Sequence, residues 1–230
     1  MSHPQSELQK EFELERMILF SDAVFAIAIT LLIIEIKFPE IHKGASTHEI
    51  WLDFKPVLIR FVGFVLSFFF IGIMWARHLK IFKYLQSYDN GVIFRNLVFL
   101  FFIVCFPFTA SGLTEHIRPG FMLPIFIYMI NIFGVITAQY FLCAYMFKAK
   151  STLSIPGYAA EKKLIVLQGK YGAISLGITI LVTLVLAFIF PDNFLYTLYG
   201  FYIFPVAMIF VRRNLKKYKI AAAKNEAAGN

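Results

Sequence analysis

Ser21 and Asp22 stand at the entrance to an almost wholly apolar run, FSDAVFAIAITLLII, which extends from Phe20 to Ile34. A carboxylate beside a hydrophobic stretch of membrane length is costly unless it has a partner. Such a group accepts hydrogen bonds, attracts cations or exchanges protons. The sequence therefore predicts that Asp22 has either a structural partner or a functional role.

Other polar residues are predicted at the same depth in two further apolar segments. They are Trp75, Arg77 and His78 in the stretch WARH, and Arg95 and Asn96. Because buried polar groups need partners, we favour one hydrogen-bonded cluster with Asp22 as its acceptor. The simpler alternative is that Asp22 is an acid of the first helical turns, favoured by the helix dipole, and that the basic residues are interfacial.

The composition indicates an all-α polytopic membrane protein. Of the 230 residues, 59% are hydrophobic and 18% aromatic, and the mean hydropathy is +0.71. Apolar stretches of about 20 residues, enough to cross a bilayer, recur along the chain. They predict six spans, at residues 17–38, 57–75, 92–111, 121–147, 171–190 and 194–211.

The distribution of basic residues predicts the orientation. Most of the 22 Lys and Arg residues fall in the segment before the first span, the second and fourth loops, and the end of the chain. The positive-inside rule then puts both termini in the cytoplasm of a multi-pass cell-membrane protein. We expect a cytoplasmic N-terminal tail over residues 1–16, a six-helix transmembrane domain over residues 17–211 and a basic cytoplasmic tail over residues 212–230. The net charge of +8 is explained by this bias and by contact with anionic lipids, and nucleic acid is not an expected partner.

Several classes of function lack their motifs in this sequence. It has no Gly-rich phosphate loop, zinc-binding helix or nucleophile elbow, so we expect neither an enzyme nor a metal or cofactor site. Cys105 and Cys143 fall within spans and are interpreted as small apolar fillers. A Thr-Val-Gly-Tyr-Gly filter and an Arg-rich voltage sensor are also missing, which excludes an ordinary potassium-channel pore. No cleavable signal peptide is expected, because the first 16 residues are polar and acidic.

Helical periodicity separates two sides of the first span. At 100° per residue, one apolar stripe contains Phe20, Ala23, Val24, Ile27, Leu31, Ile34 and Phe38. Thr30 and Glu35 flank this stripe, whereas Asp22 points to nearly the opposite side. The stripe either lines a pathway or faces lipid or another helix, and periodicity alone favours the second interpretation.

Two motifs resemble those of a known channel family. The segment RMILFSDAVFAIAITLL, from Arg16, is similar to the first-helix signature of the endosomal and lysosomal potassium channel family, transmembrane protein 175, and its bacterial relatives. The segments WARHLKIF, from Trp75, and RNLVFLFFIVCFPF, from Arg95, support the same resemblance. The resemblance covers the first half of the chain closely and the second half mainly by topology. At the position of Arg77, many relatives have another residue.

The resemblance implies a potassium-selective channel without a carbonyl filter, built as a homotetramer around a central pore lined by the first helix. The pore constrictions of the family match Ile27, Leu31 and Ile34, and the position matching Thr30 is implicated in selectivity. A polar network that holds the helices and is linked to the open state matches Arg16, Ser21, Asp22, Trp75, His78 and Asn96. Glu35 is expected to raise the cation concentration at the outer mouth. No cofactor is expected, and the permeant ion is potassium.

Other functions remain open at this stage. His78 and Asp22 could exchange protons, which would suit a proton-permeable channel. Asn131 and Gln139 in the fourth span hint at a secondary transporter, although a hydrogen bond between helices explains each of them better. The third alternative is a membrane scaffold that does not conduct.

Overall fold

The structure is a computed structural model that describes residues 4–40, 42–115, 121–190, 195, 199–200 and 202–228. Within these ranges it is almost entirely helical, as predicted. The helices are α1 (Pro4–Ile34), α2 (Thr47–Phe82), α3 (Asn90–Val104), α4 (Phe106–Glu115), α5 (Leu123–Ala144), α6 (Ala159–Ile189) and α7 (Ile203–Ala228). A π-helical turn (Tyr145–Ala149) and a 3-10 turn (Ser151–Leu153) follow α5.

Five stretches of described helix are long and apolar enough to cross a bilayer. They are Phe12–Ile34, Thr47–Phe82, Asn90–Thr114, Leu123–Ala149 and Ala159–Ile189. These correspond to the first five predicted spans. The predicted sixth span, residues 194–211, includes residues 194, 196–198 and 201, which lie outside the described ranges, as does the predicted hairpin at residues 191–193.

The helices extend well beyond the apolar stretches that predicted them. α1 begins at Pro4, so the expected N-terminal tail is helical, because the segment is rich in Glu, Lys, Gln and Leu, which are good helix formers. α2 begins at Thr47, ten residues before the predicted span. It starts there because Ser46 and Glu49 form a capping box, in which the Ser46 N–H donates to Glu49 Oε2 at 2.7 Å.

The other helix ends also differ from the predicted spans. α6 begins at Ala159, twelve residues early, and α7 runs past Val211 into the expected basic tail. α1 ends at Ile34, so Phe38 lies beyond the helix and does not continue the stripe. Hydrophobicity indicates which residues can be buried in lipid, and it does not determine where a helix begins or ends.

The third span is divided into α3 and α4 at Cys105. Pro107 explains the break, because it has no N–H to donate to the carbonyl of Ile103 and its ring crowds that carbonyl. Just after the break, the Thr109 hydroxyl donates to the Phe106 carbonyl at 3.3 Å. The Asn131 amide of α5 donates to the same hydroxyl oxygen at 3.3 Å, which fastens α4 to α5.

The helices whose backbones approach each other closely show the order of packing. α1 packs against α2, α3 and α4, and α5 packs against α3, α4 and α6. Asp22 in the middle of α1 bonds to Trp75 near the end of α2, whereas Glu35 directly after α1 lines a small pocket with Arg60 in the first half of α2. α1 and α2 are therefore antiparallel.

The described buried side chains form three clusters, and two of them, a central one and one at an end of the bundle, contact α1. The central cluster includes Phe25, Ile71, Phe99, Ile103 and Phe106. The second lies where the segments 83–89 and 150–158 meet, which we call the basic end, and includes Ile81, Phe82, Val92, Leu142 and Met146. Leu14, Met17 and Ile18 of α1 pack against this second cluster, so α1 is anchored along both.

Candidate functional site

The side of α1 that carries Ile27, Leu31 and Ile34 is uncovered in the single chain. These side chains are 59%, 39% and 64% exposed, respectively. Thr30 beside them is also exposed. We call these four residues the open face, and their spacing of three and four residues places them along one side of the helix.

The opposite side of α1 is packed against its neighbours. Ser21, Phe25, Ala28 and Leu32 are each 3% exposed or less. Phe25 lies against His78 and Phe99, with ring centroids 5.7 and 5.9 Å away. We call these four residues the packed face; it fixes which way the open face is directed.

A chain of hydrogen bonds joins the packed face to α2 and α3. The Asn96 amide donates to Ser21 Oγ at 2.9 Å, and the Ser21 hydroxyl donates to the Met17 carbonyl at 3.0 Å. His78 Nε2 lies 3.0 Å from Asn96 Oδ1. Because that amide oxygen can only accept, Nε2 must carry the proton.

The ring of His78 is held firmly in this chain. It is fully buried, stacked on Phe82 at a centroid distance of 4.1 Å and parallel to Phe99 within 6°. Among the described residues, its Nδ1 has no hydrogen-bond partner. The histidine therefore acts in this structure as a donor fixed between aromatic rings.

Asp22 lies outside this chain, which corrects the predicted cluster with Asp22 as its common acceptor. Its carboxylate accepts a hydrogen bond from the Trp75 indole at 2.8 Å. The reason is geometric: successive residues of a helix point about 100° apart, so Ser21 is directed towards α3 while Asp22 is directed towards α2. Two separate attachments hold this end of α1, the Ser21–Asn96–His78 chain and the Asp22–Trp75 pair.

The arginines predicted at this level are distributed differently. Arg16 is exposed and, among the described residues, bonds to none of the other predicted network members. Arg95 lies over the ring of Tyr145, 3.9 Å from its centroid, and donates to the Gly91 carbonyl. Arg77 is half-buried. None of the three arginines joins the Ser21–Asn96–His78 chain.

The two polar residues that flank the stripe are both hydrogen-bonded within the chain. The Thr30 hydroxyl donates to the carbonyls of Ala26 and Ile27, at 3.0 and 2.9 Å. Because its proton is engaged, its oxygen can offer only lone pairs outwards. Glu35 accepts a hydrogen bond from Ser111 at 3.1 Å and lines a small pocket with Arg60. Its carboxylate is thus directed towards α2 and α4 and away from the open face.

A hydrogen-bonded polar group at the basic end was not predicted from the sequence. Asp89 caps α3 by accepting from the Val92 N–H at 2.9 Å, and the Tyr145 hydroxyl donates to the same carboxylate at 2.7 Å. Desolvation raises the pKa of Asp89, but the hydrogen bonds from Tyr145 and from the backbone of Val92 and Gly91 outweigh it, so the pKa is lowered. An aspartate directly before an apolar run, as in DNGV, is an N-cap signal that could have identified it.

Comparisons with known proteins follow the part of the chain that builds this site. The family model described as endosomal/lysosomal potassium channel TMEM175 matches residues 16–107. A protein named as a potassium channel from Streptomyces collinus is 38% identical over 99 residues, covering 43% of this chain and 47% of that protein. The human protein named endosomal/lysosomal proton channel TMEM175 is 24% identical over 140 residues, covering 61% of this chain and 27% of that protein.

A solved structure extends the likeness to most of the chain. The crystal structure of a lysosomal potassium-selective channel TMEM175 homolog from Chamaesiphon minutus superposes with a TM-score of 0.66 at 25% identity. It covers 88% of this chain and 98% of that chain. In sequence, by contrast, the chain spans about half the length of the curated bacterial relatives that it matches.

Proposed function

Because residues 16–107 match the model of the TMEM175 family, which is described as a potassium channel family, we propose that the chain belongs to this family of ion channels and is a potassium-selective channel. The observation that carries this proposal is the open face of α1. A helix whose other side is packed and hydrogen-bonded presents Ile27, Leu31 and Ile34 away from its own chain. The relatives named as potassium channels support potassium as the permeant ion.

The proposed pore lies between four copies of the chain. One chain supplies only one open face, so a closed ring needs several, and a homotetramer brings four copies of α1 around a central axis. Each helix would then be held from behind by its packed face. We place the channel in the cell membrane with both termini in the cytoplasm, in agreement with the basic residues at the basic end.

The proposed gate is a set of apolar rings. Rings of Ile27, Leu31 and Ile34 would block ions by excluding water when narrow, and would conduct when slightly wider. Since such rings offer no polar ligand, selectivity would depend on width and on the Thr30 oxygens, whose lone pairs suit a cation. Glu35, which accepts a hydrogen bond from Ser111 behind the helix, would make the electrostatic potential at the outer mouth more negative.

A substitution at Ile27 tests the pore directly. We expect Ile27→Asn to raise cation current and weaken the preference for potassium, because hydrogen-bonding groups make the ring easier to wet. Ile27→Trp should nearly abolish the current by filling the axis. Planar-bilayer recordings of purified protein in mixed potassium and sodium solutions measure both effects.

The matched control is Ile33→Asn, since Ile33 is also exposed on α1 but lies on another side. If Ile33→Asn altered conductance while Ile27→Asn left it unchanged, the open face would not line the pore. Thr30→Val removes the hydroxyl at nearly constant volume, so we expect it to change the reversal potential more than the total current.

A proton-permeable channel is the second candidate. It is favoured by the vertebrate relatives named as proton channels and by the buried His78 chain beside the start of α1. Reversal potentials measured under a pH gradient with equal potassium on both sides distinguish the two. A shift towards the proton equilibrium potential would support proton permeation.

The transporter alternative is weakened by Asn131. Its amide donates to Thr109, as expected of a hydrogen bond between helices. The expectation was wrong for the amide nitrogen of Gln139, which is buried and has no hydrogen-bond partner among the described residues. Unitary currents of channel size would exclude both a transporter and a scaffold that does not conduct.

A further inference from the structure

A cavity of about 440 Å³ opens at the basic end, away from the open face of α1. It lies between the π-helical turn after α5, the segment 151–157 and the first turns of α6. Its lining residues include Phe147, Lys148, Ile155, Lys162, Lys163 and Val166. Neither the potassium pathway nor the Ser21–Asn96–His78 chain uses this cavity.

The cavity concentrates positive charge. Three lysines line it, and none of the described residues in its lining is acidic. Lys162 is only 9% exposed. Its ammonium group donates to Ser154 Oγ at 3.1 Å and to the carbonyl of Ile155, both neutral oxygens. A buried charge held only by neutral groups is costly, and an anion nearby would offset that cost.

The start of α6 adds to the attraction for an anion. α6 begins at Ala159, which lines the cavity, and its N-cap residue Tyr158 makes no side-chain capping bond. Gly157 and Tyr158 both have positive φ, 81° and 55°, which turns the chain sharply into the helix. The first N–H groups of a helix carry partial positive charge, so this end complements the lysines.

Most of the remaining lining is apolar, and this indicates the class of occupant. Phe147, Val166 and Leu167 line the same cavity as the lysines. A free phosphate would gain nothing from such a wall, whereas a phospholipid presents a phosphate beside hydrocarbon. We propose that this cavity binds the headgroup phosphate of an anionic phospholipid, with the upper part of an acyl chain along Phe147, Val166 and Leu167.

Hydrogen bonds connect the cavity to the rest of the basic end. The Ile155 N–H donates to the Tyr84 carbonyl at 2.9 Å, and the Gln86 and Ser87 N–H groups donate to the Leu153 carbonyl. A bound headgroup would hold Lys162 and, through Ser154 and Ile155, the segment that follows α2. Lipid binding should therefore raise the thermal stability of the folded chain.

The test compares two double variants by native mass spectrometry. Purified protein is titrated with phosphatidylglycerol and, separately, with phosphatidylcholine. We expect wild-type protein to bind phosphatidylglycerol preferentially, and Lys148→Gln/Lys163→Gln to bind it about thirty-fold more weakly, since each lysine near a lipid headgroup contributes a similar share of the affinity. Both positions are exposed, so the variant should fold.

Lys80→Gln/Lys83→Gln is the matched control, because it removes the same charge from exposed positions outside the cavity lining. Equal losses in the two double variants, or equal binding of the two lipids by wild-type protein, would overturn the proposal. Inorganic phosphate is the second arm: if it raised the melting temperature as much as phosphatidylglycerol does, the cavity would be a soluble-anion site and the lipid assignment would be wrong. The measurement needs no ion conduction, so its result is independent of the proposed channel activity.

Discussion

The two sides of α1 are made of similar residues and have opposite environments. The packed face contains Phe25, Ala28 and Leu32, and the open face contains Ile27, Leu31 and Ile34. Hydrophobicity does not distinguish them. Their contacts do: Phe25 packs against His78 and Phe99, and Ser21 on the same side accepts a hydrogen bond from Asn96. The comparison teaches that the two sides of an apolar helix are distinguished by ring packing and a hydrogen bond to neighbouring helices and not by their hydrophobicity.

The largest effect is expected from truncating the packed face. Phe25→Ala should remove about 3 kcal/mol or more of stability, because it leaves a cavity beside His78 and Phe99. Ile27→Ala on the open face should leave the stability of the single chain nearly unchanged. Unfolding in mild detergent, followed by tryptophan fluorescence, measures both. With the protein dissociated into single chains, similar losses for the two variants would mean that the open face is also packed within the chain.

A smaller effect is expected at the centre of the hydrogen-bond chain. Asn96→Leu leaves Ser21 and His78 without their partner, at a cost of about 1–3 kcal/mol for each group left unsatisfied. Adding Ser21→Ala should restore part of the loss, since the hydroxyl then no longer needs a partner. The same unfolding assay applies to both variants. Strict additivity of the two substitutions would show that Ser21 and Asn96 do not act together.

The smallest effect distinguishes the two attachments of α1. Asp22→Ala and Trp75→Phe should each cost about 0.6 kcal/mol, a typical value for a hydrogen bond between membrane helices, and Asp22→Asn should cost less because its amide oxygen can still accept. Because Asp22 and His78 belong to separate attachments, Asp22→Ala and His78→Ala should be nearly additive in unfolding free energy. A strong coupling between them would restore the single cluster expected from the sequence.

The sequence predicted how deep each polar residue lies in the membrane, but it did not predict how each helix is rotated about its own axis. Positions along each apolar run predicted that Ser21, Asp22, Trp75, His78 and Asn96 lie at one level, and the structure brings all five there. Their division into two attachments depends on how α2 and α3 are rotated about their axes. That rotation results from packing of many apolar side chains, which no single pattern in the chain encodes.

Some features of the structure follow from residues close in sequence and could have been predicted, whereas others depend on residues far apart in sequence. The early start of α2 could have been predicted, because Ser46 and Glu49 form a capping box with its usual spacing. The burial of Lys162 could not, since it depends on Ser154 and Ile155 being held against the segment after α2. The stripe on α1 followed from helical periodicity alone, and its role in a pore remains a proposal.

The hydrogen bonds between Tyr84 and Ile155 and between residues 86–87 and Leu153 have a consequence for synthesis of the protein. They join segments about 70 residues apart in sequence, so they cannot form until α5 and the loop after it have left the ribosome. Until then α1, α2 and α3 would sit in the membrane while the N–H groups of Gln86 and Ser87 and the Tyr84 carbonyl lack these partners. The first half of the chain therefore gains part of its hydrogen bonding only after the second half has been made.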